Sequence, residues 1–179
     1  RGTNLSALIE ATRNRNYPAE IALVVSNVPD ASGLKIAQGA GIATAIIDHK
    51  EFSENRPAFE RALQNVLVEN GIDLVCLAGF MRLLTADFVK KWEGRMLNIH
   101  PALLPAFKGL HTHRRALEAG AKEHGATVHF VVPEMDSGPI VAQEAVDVRP
   151  DDTEDSLAQR VLVVEHRIYP HALRLLAEG

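Results

Sequence analysis

Short apolar runs of strand length alternate with longer stretches of helical periodicity, and this alternation most constrains how the chain can fold. Ile21 to Val25 is a continuous branched run, the pattern of a strand buried on both faces. Helical sequence follows from Ser32 to Gln38, closed by Gly39 and Gly41, and a short strand from Thr44 to Ile47 comes next. Pro57 to Glu69 reads as a helix with Gly71 just past its end. Leu74 to Ala78 is a further strand, Ala86 to Trp92 a short helix, and Met96 to Ile99 another strand. Ahead of them, Leu5, Leu8, Ile9 and Ala11 fall at helical spacing between Leu5 and Arg15, with Thr3 or Asn4 as N-cap. Strands and helices alternating over short connections give an α/β fold, an open and mostly parallel sheet with helices on both faces.

The second half changes character. Ala126 to Val132 and Ile140 to Val146 read as two strands joined through a Gly-Pro turn, which implies an antiparallel strand toward the C-terminal half. A last helix runs from Thr153 to Leu176, with Pro170 expected to kink or break it. No repeat, low-complexity tract or linker divides the chain, so residues 1–179 are expected to form a single domain.

Composition bounds the function. A formal net charge of −4 argues against a general nucleic-acid binder, which needs a broad basic face, but not against a small anionic substrate. The one cysteine, Cys76, cannot form an internal disulfide, and its place in the run Leu74 to Ala78 suits a buried, inert thiol in a reducing, cytoplasmic compartment. No apolar run is long enough to cross a membrane as a helix, so no membrane partner is expected.

In open parallel sheets ligands sit at the carboxyl ends of the strands, and Asn98-Ile99-His100-Pro101 starts at such an end. A strand entering a polar pair and then two prolines, Pro101 and Pro105, makes a rigidly placed loop. Asn98 and His100 are two apart, so on an extended backbone both side chains point to one face. Taken alone, such a pair also suits a loop cap and a satisfied structural histidine. Downstream, the turn Glu134-Met135-Asp136-Ser137-Gly138-Pro139 could bring Asp136 to His100. A carboxylate there would raise the pKa of the imidazole and fix its orientation.

Three motifs together carry a resemblance: Asn98-Ile99-His100-Pro101-x-Leu103-Leu104-Pro105, Gly109-Leu110-His111-Thr112-His113 and Met135-Asp136-x-Gly138-Pro139. With Gly2-Thr3-Asn4-Leu5, Leu77 to Arg82 and Glu165-His166-x-Ile168-Tyr169-Pro170, the chain resembles the folate-dependent phosphoribosylglycinamide formyltransferases along nearly its whole length. That likeness implies a Rossmann-like formyltransferase fold. It also implies transfer of a formyl group from 10-formyltetrahydrofolate to the glycine amine of glycinamide ribonucleotide, in purine synthesis. The Asn-x-His and Asp-x-Gly-Pro elements are shared with other formyl-folate enzymes; the Gly109 to His113 run narrows the match. A formyltetrahydrofolate hydrolase using the same three groups, and a silent folate-binding module, are the competing readings.

By the resemblance, Asn98, His100 and Asp136 are catalytic: Asn98 and His100 face the oxyanion of a tetrahedral intermediate, His100 donates the proton, and Asp136 raises its pKa. The co-substrate 10-formyltetrahydrofolate would be held by Arg56, by the segment Met81-Arg82-Leu83-Leu84 around its pteridine, and by Asn98. The ribonucleotide would be held by Gly2, Thr3 and Asn4 as a phosphate loop and by Glu165. Some relatives carry a second polar ligand where this chain has Leu162, and Ser is common where it has Ala102. His111 and His113, with His124 and His129 elsewhere, raise the question of a metal, but a zinc site needs at least three protein ligands and a supporting shell, and no metal is expected. A phosphate loop normally follows a buried parallel strand, so a strand of ~5–6 residues is expected upstream of Arg1.

Overall fold

The structure is a computed structural model that describes all residues, Arg1–Gly179. Its elements follow the order α1 (Thr3–Thr12), β1 (Leu23–Ser26), α2 (Ser32–Gly39), β2 (Ala43–Ile46), α3 (Arg56–Glu69), β3 (Val75–Leu77), α4 (Ala86–Lys91), β4 (Met96–His100), α5 (Thr112–Glu118), β5 (Glu123–Phe130), β6 (Ile140–Asp147) and α6 (Glu154–Glu178), with one 3-10 turn at His49–Phe52 between β2 and α3. The α/β alternation read from the sequence is present, and no helix is long and apolar enough to cross a membrane.

Strand pairing sets the site. β3 and β4 run parallel, with Leu77 beside Asn98. β5 then lies antiparallel to β4, and β6 antiparallel to β5, so the reversal toward the C-terminus involves two strands. Helices cover both faces. On one, Leu97 and Ile99 of β4 pack with Val128 of β5 against Leu157, Val161, Val164, Tyr169 and Leu173 of α6. On the other, Met96 joins Leu67 of α3 and Phe88, Val89 and Trp92 around α4. The two-residue period of a strand therefore puts Met96, Asn98 and His100 on the α3–α4 side.

Several expectations need correction. The single sheet is two ladders, β1-β2 and β3-β4-β5-β6, because β1 and β3 do not pair. Their edges instead line a cleft of about 920 Å³, bounded also by Gly2, Thr3 and Asn4. β1 is accordingly half-buried where its sequence reads as buried on both faces. The upstream strand expected from the phosphate loop lies outside the described residues. Gly2, at φ 73°, is the N-cap of α1, one or two positions ahead of Thr3 or Asn4. α6 is not broken at Pro170 and continues to Glu178. Buried Val164, Ile168 and Tyr169 before the proline and Ala172 and Leu173 after it hold one continuous face on the sheet, which outweighs the missing N–H bond. α5, which begins within the Gly109 to His113 run, is absent from the sequence reading. Burial pushes the Cys76 thiol up to about 11, in keeping with an inert thiol.

Candidate active site

β4 delivers Asn98 and His100 to one face at its carboxyl end, opposite His129 and Thr127 of β5 in the antiparallel register. His129 is buried, and its Nδ1 lies 2.9 Å from the carbonyl of Phe130. A carbonyl only accepts, so that nitrogen carries the proton. Burial holds the His129 pKa below the ordinary range, with the Phe130 bond and Asp136 pulling the other way and His100 adding to the depression. The ring is then neutral, and its Nε2 accepts from the Asn98 Nδ2 amide at 3.4 Å. One N–H of Asn98 is thereby fixed and the other left to point elsewhere. In the sequence His129 stands out only as a candidate metal ligand; its i, i+2 spacing from Thr127 is the available signal for a shared strand face.

The turn after β5 brings Asp136 to the same place. Its Oδ2 lies 3.6 Å from His100 Nδ1 and its Oδ1 3.9 Å from His129 Nε2, with all three side chains largely buried. The Gly109 N–H donates to Asp136 Oδ2 at 2.9 Å, which ties the Asp turn to the loop that follows His100. Asp136 itself is in the left-handed region, at φ 51°. The second ring nitrogen of His100, Nε2, donates to the carbonyl of Phe107 at 2.9 Å.

The loop from Pro101 to Leu104 is pinned from beneath. The fully buried Thr127 hydroxyl donates to Ala102 O at 2.7 Å and accepts from Leu104 N at 3.1 Å. Gln143 Nε2 donates to both Leu104 O and Thr127 Oγ1, and Thr112 Oγ1 donates to Pro101 O. Every hydrogen-bonding position of the threonine hydroxyl is used. This explains why a loop with two prolines can hold His100 to one position.

Asn4 and Glu165, far apart in sequence, meet between α1 and α6. Glu165 is buried, and burial lifts its carboxyl to about 7, with the Asn4 amide pulling part of the way back. Asn4 Oδ1 is buried with no hydrogen-bond partner. Gly2 and Thr3 open α1, where unpaired backbone N–H groups favour an anion. Because the folded chain holds the Glu165 proton more tightly than the unfolded chain, its contribution to stability is fully present below pH 4.5, the ordinary value, and lost as pH rises toward 7. Relative to wild type, Glu165→Gln is therefore expected to gain melting temperature across that window and level off above it. A difference that stays flat with pH would refute the buried, proton-holding carboxyl.

The expected folate segment leaves β3 next to Asn98. Met81 and Leu83 are exposed, so they are not core residues, while Arg82 and Leu84 are half-buried. The Arg82 guanidinium lies 5.7 Å over the Phe59 ring, and Phe59 stacks on Phe80 at 6.4 Å. Arg56 is the exposed first residue of α3, one turn before buried Phe59 and Glu60. The cleft between β1 and β3 includes none of Asn98, His100 and Asp136, so it is a gap in the sheet and not the site of this constellation. Of the paired histidines in the Gly109 to His113 run, His113 faces His124 at 3.1 Å, and burial, reinforced by the neighbouring histidines, pulls His124 down to about 4. His111 is the left-handed N-cap of α5.

An Asn–His–Asp arrangement at a strand end, with the histidine buried and the other two half-buried, can donate two hydrogen bonds to a developing oxyanion and move a proton, which suits acyl-group transfer. The chain is 53% identical over 178 residues to the trifunctional purine biosynthetic protein adenosine-3 of Gallus gallus, covering 99% of this chain and 18% of that protein. The chain thus spans about a fifth of the length of such relatives. It is 46% identical to the phosphoribosylglycinamide formyltransferase of Escherichia coli (strain K12), covering 99% of this chain and 84% of that protein. The crystal structure of phosphoribosylglycinamide formyltransferase from Brucella melitensis superposes with a TM-score of 0.94 at 50% identity, over 99% of this chain and 91% of that one. Residues 1–173 match the family described as formyl transferase, and the chain belongs to that family.

Proposed function

We propose that this chain transfers the formyl group of 10-formyltetrahydrofolate to the glycine amine of glycinamide ribonucleotide, as one domain of cytoplasmic de novo purine synthesis. The observation that carries the reading is the meeting of Asn98, His100, His129 and Asp136 at the carboxyl end of β4. The names borne by the relatives support the same choice of acceptor. In this reading the amine attacks the formyl carbon, and the oxygen becomes an oxyanion. The Asn98 N–H not given to His129 faces that oxygen. Asp136 holds the Nδ1 edge of His100, so the Nε2–H now given to Phe107 is the proton available to the reacting atoms. The proton lost by the attacking nitrogen is passed on to the folate nitrogen as the carbon–nitrogen bond to it breaks.

Gly2, Thr3, Asn4 and Glu165 would bind the ribonucleotide, with the phosphate at the start of α1. Arg56, Met81, Arg82, Leu83 and Leu84 would bind the folate. These groups suffice for the chemistry without a metal. The test is formyl transfer with glycinamide ribonucleotide beside a control lacking it. Transfer should far outpace release of formate in the control. Equal rates with and without the nucleotide would overturn the reading in favour of hydrolysis.

A further inference from the structure

Glu60 is a buried carboxylate that the chemistry above does not use. It projects from α3, is only 5% exposed, and has no cation within salt-bridge distance. Both of its oxygens go to one residue: Oε1 accepts from the Thr85 N–H at 2.6 Å and Oε2 from the Thr85 hydroxyl. A carboxylate taken out of water and given only neutral donors is costly, and Ala or Leu would fill this helix position more cheaply. The position of Thr85 is what the carboxylate secures. Thr85 ends the segment Met81 to Leu84 and caps α4, where its hydroxyl also accepts from the Phe88 N–H at 3.3 Å.

α3 also contacts the segment at its other end. Phe59, adjacent to Glu60, stacks on Phe80 and lies under the Arg82 guanidinium. The segment is thus held at Phe80 by an aromatic ring and at Thr85 by a carboxylate, while Met81 and Leu83 between them stand exposed to solvent. Exposed apolar side chains on a span braced at both ends are arranged to receive a ligand.

We infer that Glu60 is a positioning residue that sets the Met81–Leu84 segment for the folate and thereby controls folate affinity without touching the reacting atoms. The inference rests on the folate reading of this segment. Glu60→Gln keeps the shape but turns an amide N–H₂ toward a donor. In the full chain, tetrahydrofolate binding measured by calorimetry is expected to weaken about 10- to 100-fold in this variant. The KM for 10-formyltetrahydrofolate should rise with it, while kcat at saturation and the KM for glycinamide ribonucleotide stay within about 2-fold, since Asn98 and His100 are held by other bonds.

Thr85→Val removes one of the two bonds and should show the same selective loss in smaller measure. Thr85→Ser, which keeps both donors, should bind as wild type does. If Glu60→Gln does not fold, the threonine pair carries the test by itself. Wild-type tetrahydrofolate affinity in a folded Glu60→Gln or Thr85→Val variant would overturn the inference. So would equal losses for both substrates with a lowered melting temperature, which would make Glu60 a general brace. Failure of the wild-type chain to bind tetrahydrofolate would overturn the folate reading and this inference together, an outcome distinct from equal binding by wild type and variant.

Discussion

Replacing His100 by Ala is expected to cost roughly 10²–10⁴ in turnover while leaving a folded chain. The imidazole is the one group at this site that reaches both Asp136 and the loop carbonyl of Phe107 and can also carry a proton. Asn98→Ala should lose about 10²–10³, the usual effect of deleting one oxyanion donor. It should also leave His129 Nε2 without its partner. Asp136→Asn keeps an oxygen able to accept from Gly109 N but removes the charge between two histidines. The three groups form one linked set, His100 against Asp136 directly and Asn98 through His129, so double variants should lose less than the product of the single losses. The measurement is single-turnover formyl transfer to glycinamide ribonucleotide, with melting temperature recorded for each variant. Wild-type-like transfer by His100→Ala would refute the assignment.

Much of this site is readable from spacing, because strands impose a strict period. Asn98 and His100 share a face for the reason the sequence suggests, and Met96 continues that face into the α3–α4 core. The approach of Asp136 to His100 was legible only as a possibility, since it depends on the antiparallel β4–β5 pairing and a left-handed residue in the turn. The roles of His129 and Thr127 beside Asn98 and His100 are not legible in the sequence because they are cross-strand. A histidine opposite an asparagine has no local signature, and register is a long-range property. Asn4 and Glu165 met through α1–α6 packing, which no short motif encodes.

The errors have physical causes as well. Pro170 reads as a helix break when only the lost N–H bond is counted, but its neighbours Ile168, Tyr169, Ala172 and Leu173 are anchored in the core. The Tyr169 hydroxyl reaches the Leu77 carbonyl, which fixes α6 to the end of β3. The failure of β1 to join β3 cannot be read from either run, since both are apolar and of strand length. α5 is hidden because its start, His111, sits in a left-handed cap that ordinary N-cap rules do not pick out.

Gly138→Ala is expected to be as damaging to transfer as loss of a catalytic side chain, although Gly138 touches no reacting atom. A Cβ built on Gly138 would lie 1.7 Å from the carbonyl oxygen of Phe130 and 2.8 Å from its carbon. The obstacle is backbone, so no rotamer change relieves it. Phe130 cannot retreat either. Its N–H donates to Pro139 O at 2.9 Å, its carbonyl accepts from His129 Nδ1, and it pairs with Leu97 in the β4–β5 ladder. The turn must therefore move, carrying Asp136 away from His100, or the strand end must move, releasing the proton that fixes the His129 tautomer. Overpacking a rigid position costs about 1–3 kcal/mol, and a shift of about 1 Å at the chemistry can cost on the order of 10²-fold in rate. Gly39 provides the contrast: it closes α2 with nothing within 4 Å of an added Cβ and no positive φ. Gly39→Ala should leave transfer unchanged and raise stability by about 0.5–1 kcal/mol. Melting curves and formyl-transfer rates of the two variants, compared side by side, decide the matter. Transfer by Gly138→Ala equal to that of Gly39→Ala would show that the Asp136 turn is not held in place by this close approach.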